Sequence, residues 1–219
     1  MLRFCFLFLF CLGLNAQDWD NYEFSKIEED KGLWMGIDGT YSFSKKLKTS
    51  LVFQTRLDQN MSQFKSMLVE QKTAFKAHKY LTLFAKHRIA SNLKKSPTYR
   101  ITFGGQTKYK RKRWTASLRT QIQYQWRTKE TPENTFRNKV VIEYSKKKSD
   151  FTPYVYGELF FYFDHRQRAI SRYRIGAGTS YEISKRTSLG LKYFYQRKFN
   201  IEIPQANHLV SIGYSLKFK

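Results

Sequence analysis

A two-residue hydrophobic alternation that returns in segment after segment limits this chain more than any other feature. Trp114, Ala116, Leu118, Ile122, Tyr124 and Trp126 fall on one face, and Thr115, Ser117, Arg119, Gln121, Gln123, Gln125 and Arg127 on the other. A helix would scatter both sets around its circumference. A strand separates them, because successive side chains point to opposite sides of the pleat. The closing segment repeats the pattern, with His208, Val210, Ile212, Tyr214, Leu216 and Phe218 set against Leu209, Ser211, Gly213, Ser215 and Lys217. Leu51–Asp58, Tyr99–Tyr109, Tyr173–Ile183 and Leu189–Gln196 alternate in the same way. Phe151 to Phe163 is aromatic on both faces, which leaves its orientation open.

These periods predict strands near 33–44, 48–58, 66–78, 80–90, 98–109, 113–127, 135–145, 151–163, 171–183, 187–197 and 207–218. Their connections fall into two expected kinds. One is tight and basic: Ser44–Leu47, Ala77–Lys79, Lys110–Lys112, Ser145–Lys148 and Ser184–Arg186. The other is longer and polar: 58–64, 91–97, 128–135, 164–170 and 198–207. The tight turns recur at intervals of roughly thirty-five residues, so the repeating unit is one hairpin. Hairpin following hairpin with no crossover predicts an all-β, antiparallel, up-and-down barrel. Each segment has roughly the ten residues that a tilted strand needs to cross a bilayer. Barrels with both termini on one side have an even strand count. The expectation is therefore ten to twelve strands, with twelve favoured if Trp19 to Glu28 supplies a weak additional one.

The N-terminal residues read as a secretory signal, with Arg3 followed by the apolar run Phe4 to Leu14 and a small residue at Ala16. The expected division is a signal peptide at 1–17 and an outer-membrane barrel domain at 18–219. Cys5 and Cys11 both lie in the segment to be removed, so the mature chain is expected to hold no disulfide and no thiolate chemistry.

A soluble β-sandwich would also alternate. Three features favour a membrane. Aromatic residues crowd the strand ends beside the tight turns, among them Tyr41, Phe43, Tyr80, Tyr109, Trp114, Tyr144, Phe151 and Tyr181, where amphipathic rings suit the headgroup level. Successive hairpins can close and so remove the edges that lipid would not tolerate. The chain also ends in a strand with Phe218 next to last, like the terminal aromatic of strands read by barrel-assembly machinery. The Asn15-Ala16-Gln17 signal end, the Tyr-x-x-Ser-Lys-Lys/Arg hairpins and the closing Ile212–Phe218 together resemble a family of outer-membrane barrels catalogued as domain of unknown function 2490. That resemblance implies the fold and the outer-membrane location. It carries over no site residues.

The formal net charge is +23. Such an excess raises nucleic acid as a partner. Export and the dispersal of Lys and Arg over turns and polar faces argue against it. The expected partners are outer-membrane lipids, the assembly machinery and a small anionic solute. The faces opposite the apolar ones should line the lumen, with Arg56, Arg88, Arg100, Arg119, Arg137, Lys139, Arg172, Arg174 and Lys192 as a basic lining. Two readings stay open: a salt-bridged plug, or a porin-like, anion-preferring passage. The expected function is thus a non-enzymatic barrel, structural or a small channel. The alternative is a lipid-acting hydrolase. His208 and Ser211 point to opposite strand faces and cannot pair, which leaves His208 with a cross-strand serine such as Ser188. No histidine pair has metal-ligand spacing, and no cofactor is expected.

Overall fold

The structure, a computed structural model, describes residues 27–92, 95–128, 130–147, 149–163, 168–199 and 204–218. Residues 1–17, expected to be a signal peptide, lie outside this set. Eleven strands form among the described residues: β1 Glu28–Ser42, β2 Leu47–Asp58, β3 Gln63–Lys76, β4 Leu81–Asn92, β5 Lys95–Arg111, β6 Trp114–Arg127, β7 Glu133–Tyr144, β8 Phe151–Phe163, β9 Arg168–Glu182, β10 Thr187–Lys198 and β11 Gln205–Phe218. Each pairs with its sequence neighbours, and β1 closes on β11 to complete a barrel.

The strand count corrects the expectation of twelve. Parity assumes that the first and last strands run antiparallel. Here β1 and β11 are parallel, from Glu28↔Gln205 to Tyr41↔Phe218. A parallel ladder satisfies the backbone as an antiparallel one does, so an odd count also closes. Of the segment proposed as a further strand, residues 19–26 lie outside the described set and Glu28 opens β1.

The register defines the shape of the cylinder. The row of paired residues leaving β1 at Ser42 runs through Lys48, Ala74, Phe84, Gly104, Gln121, Arg137, Phe160, Arg172, Lys198 and Gln205, and returns to β1 at Glu28. The offset from Ser42 to Glu28 is the stagger that tilts the strands, by roughly 35–45° in barrels of this kind.

All five tight basic turns lie at one end. Their chemistry is local. In two of them a serine hydroxyl accepts from the backbone two and three residues on: Ser44 from Lys46 N (3.1 Å) and Leu47 N (3.0 Å), and Ser184 from Arg186 N and Thr187 N (both 3.1 Å). This explains why the Ser-Lys-Lys/Arg motif repeats. At the opposite end the expectation of long loops is corrected. The strands run on, leaving 59–62 between β2 and β3 and 93–94 between β4 and β5. Charge separates the two ends more clearly than length does. The 59–62 connection is held to β1 by Asp30, whose carboxylate accepts from Asn60 N at 3.0 Å.

Contacts between non-neighbouring strands identify the inner face. Trp34 on β1 meets Phe194 on β10 edge-on at 5.1 Å, and Arg119 on β6 lies 5.8 Å from the Phe84 ring on β4. The opposite face is apolar and bare, with Phe103 63% and Ile175 62% exposed. On it, two bands of rings flank an aliphatic belt. One band lies beside the basic turns, with Tyr41–Phe43, Trp114–Tyr144 and Phe151–Tyr181 in ring contact. The other lies towards the far end, with Tyr99–Trp126, Tyr124–Trp126 and Tyr173–Tyr195. Between them stand Ile37, Leu51, Leu118, Val140, Ile175 and Leu191. From Tyr109 to Tyr99 along β5, a tilted strand covers roughly 23 Å of axial height.

Candidate functional site

Polar alternation turns a basic wall inward. Arg56 of β2, Arg88 of β4, Arg100 of β5, Arg119 of β6, Arg137 and Lys139 of β7, Arg172 and Arg174 of β9, and Lys192 of β10 all share the inner face, as do Lys72 and Lys86. Two carboxylates organise part of this charge. Glu70 holds Lys86 at 3.2 Å and accepts from Arg88 Nε at 2.7 Å. Glu158, its side chain only 1% exposed, accepts from Arg137 Nε at 2.5 Å and pairs with Arg174 at 3.4 Å.

The other cations have no such partner. Among the described residues, no carboxylate lies within ion-pair distance of Arg56, Arg100, Arg119, Lys139, Arg172 or Lys192. Amides and rings take the place of acids. Arg56 donates to Gln54 Oε1 at 3.0 Å and lies 4.1 Å over Trp34. Arg100 donates to Gln125 and Arg119 to Gln106. Lys139 sits 3.9 Å over Tyr156, and Arg172 4.7 Å over Phe160. Each cation–π contact contributes about 0.5–2 kcal/mol and leaves the charge un-neutralised. Like charges also meet: Arg88 and Arg100 stand opposite each other in register, Arg56 and Arg174 share the Trp34 ring, and Arg137, Arg172 and Arg174 share the Phe160 ring.

An aromatic cluster narrows the interior. Tyr156, Phe194 and Leu209 are buried together, with Trp34, Val141 and Tyr154 packed against them. The alternation argument missed Trp34, Phe84 and Phe194. Their only signal was an apolar residue standing among polar ones on the inner face, as Phe194 does between Lys192 and Gln196. The doubtful orientation of 151–163 resolves with Tyr154, Tyr156, Glu158 and Phe160 inward. Gln121, 2% exposed, keeps both amide atoms buried without a hydrogen-bond partner among the described residues.

The serine–histidine arrangement considered for hydrolysis is not assembled. His208 lies on the outer face, its Nδ1 2.6 Å from the Tyr193 hydroxyl. Ser188 pairs with Ser215 on the inner face, whereas His208 pairs with Tyr195 at the other end of β10. Among the described residues, no three of His, Cys, Asp and Glu are placed to hold a metal.

Residues 31–207 match the family model described as Protein of unknown function (DUF2490). No curated protein matches the chain. Among solved structures, a bacterial polysaccharide outer membrane secretin is similar with a TM-score of 0.53 at 6% identity, over 77% of this chain and 64% of that one. The chain thus spans less than two thirds of that secretin. The β domain of the Bordetella autotransporter BrkA is similar with a TM-score of 0.50 at 10% identity, over 79% of this chain and 82% of that one. At such identities the likeness is one of fold, an outer-membrane-type β-barrel.

Proposed function

We propose that this chain, which belongs to the DUF2490 family of proteins of unknown function, is a non-enzymatic outer-membrane barrel enclosing a small, basic-lined, anion-preferring lumen. The observation that carries the reading is the pairing of two opposite surfaces on one wall: a bare apolar belt between two aromatic bands outside, and a cationic lining with Glu70 and Glu158 inside. In water the outer face would be an aggregation surface far above the few hundred Å² that soluble monomers tolerate. In a bilayer it matches the apolar band, about 25 Å tall, of outer-membrane barrels. The secretory signal delivers the chain there, the Phe218-ended strand engages the assembly machinery, and membrane lipids cover the belt. The solute is a small anion.

The Glu70 and Glu158 nodes and the Phe194 cluster favour a second, structural reading, in which the side chains close the lumen. Planar-bilayer recording separates the two. The channel reading predicts small currents whose reversal potential in a KCl gradient lies towards chloride. Cation selectivity or electrical silence of folded, inserted protein rejects it.

A further inference from the structure

The cationic wall is not uniform, and one part of it has the composition of a binding site. Arg56, Arg88, Arg100 and Arg172 come from β2, β4, β5 and β9. Arg100 stands opposite Arg88 in register, Arg56 shares the Trp34 ring with Arg174, and Arg172 shares the Phe160 ring with that same Arg174. Arg88 shares Glu70 with Lys86. Arg56 and Arg100 rest on glutamine oxygens, and Arg172 on a ring. All four are half-buried, whereas the Glu158 side chain is sealed. Arg56 lies near the last residue of β2 and Arg172 near the first of β9, so the group sits in the half of the barrel away from the basic turns.

We propose that Arg56, Arg88, Arg100 and Arg172 form a site for a multivalent oxyanion of the phosphate class, reached from the end opposite the basic turns. The inference rests on the reading of the interior as a basic lumen and adds what occupies it. Guanidinium groups present flat forks of donors that match phosphate oxygens two at a time, which a chloride ion does not exploit. Four strands delivering forks to one place stabilise a dianion more than a monovalent ion, because each further positive charge acts on both negative ones. The glutamines hold the forks in orientation without neutralising them, and Trp34 and Phe160 stiffen the Arg56 and Arg172 side chains. The ligand's phosphate group can belong to a soluble molecule or to a lipid headgroup.

The test uses the full mature chain folded in detergent micelles and titrated calorimetrically with inorganic phosphate against chloride at matched ionic strength. Saturable phosphate binding is expected, weakened at least tenfold by Arg100→Gln and by Arg172→Gln, and unchanged by Lys112→Gln in a basic turn. Arg100→Lys, which keeps the charge and removes the fork, should also weaken binding, and it serves if the glutamine variant does not fold. Phosphate binding no better than chloride in the unaltered protein overturns the site, as does wild-type affinity in both arginine-to-glutamine variants. Glucose 6-phosphate and a short-chain phosphatidic acid are titrated separately. Tighter binding of the lipid identifies a headgroup, and tighter binding of the sugar phosphate or of phosphate itself identifies a soluble ligand. Anion-selective currents without phosphate preference reject the site and keep the channel. Phosphate binding by an electrically silent barrel rejects the channel and keeps the site.

Discussion

Arg88 on β4 and Arg100 on β5 stand directly opposite each other inside the barrel, and Glu70 on β3 stands opposite Arg88 on its other side. Directly opposed side chains on antiparallel strands are about 5 Å apart, close enough for like charges to destabilise the pair. Glu70 offsets one of the two arginines and also holds Lys86. Removing it leaves three cations facing one another. Glu70→Gln should therefore destabilise the folded barrel by about 3–5 kcal/mol, the cost of breaking a buried ion pair on one side. Urea unfolding in micelles, followed by tryptophan fluorescence, measures it. Glu70→Gln combined with Arg88→Met should recover much of the loss. An unchanged midpoint in the single variant contradicts the role given to Glu70.

Arg100 has the opposite balance, because no carboxylate pairs with it among the described residues. In buffer without phosphate, Arg100→Gln should leave stability unchanged or raise it by up to about 1 kcal/mol through relief of the Arg88 repulsion. The same substitution should reduce anion preference in bilayer recordings. Gain in one measurement with loss in the other marks a residue kept for its charge rather than for folding.

Close packing inside the wall predicts a contrast between two glycines. A Cβ at Gly104 would lie 2.5 Å from the Thr120 carbonyl oxygen and 2.7 Å from both Gln121 Cβ and Phe84 Cζ, whereas one at Gly213 would meet nothing within 4 Å. Backbone cannot yield as a flexible side-chain tip does. Gly104→Ala should cost about 1–3 kcal/mol, in the range of overpacking substitutions. Gly213→Ala should cost far less. Paired melting curves, or the fraction showing heat-modifiable migration, decide between them.

The β5–β6 turn stores a local cost. Lys112 has φ 53°, a left-handed backbone conformation that costs a β-carbon-bearing residue roughly 1–2 kcal/mol. Lys112→Gly should stabilise the barrel by up to about 1 kcal/mol, because glycine adopts this conformation without the Cβ clash. A lowered unfolding midpoint would mean that the lysine side chain, and not the backbone, governs this turn.

The inward placement of Arg56, Arg119, Arg137 and Arg174 was legible in the sequence because a period of two allows only two faces, and a run such as Trp114–Arg127 settles which residues share one. Phe84, Phe194 and Trp34 were not legible, since a ring among polar neighbours looks like noise until strands two apart in the barrel bring Trp34 to Phe194. Strand ends were also hidden. Glu28 to Lys31 carry no alternation, yet the ladder with β11 extends through them, and Lys95 pairs with Asn92 across a register shift that no sequence pattern marks. The alternation marks eleven segments, and parity moves the expected count to twelve; what no local pattern marks is the parallel closure of β1 on β11, two segments far apart in the chain, which lets an odd count close. The pairing of Glu70 and Glu158 with their particular arginines likewise depends on register, which hydrophobic alternation defines only to within an even number of residues.

The most direct test asks what covers Ile37, Phe103, Leu118 and Ile175. The mature polypeptide, diluted from urea into phospholipid vesicles, should acquire β-structure circular dichroism, migrate faster unheated than boiled, and become protected from protease. Diluted into detergent-free buffer, it should aggregate. A folded, monodisperse monomer in plain buffer would show that lipid is not required and would contradict the membrane assignment, together with the lumen built on it.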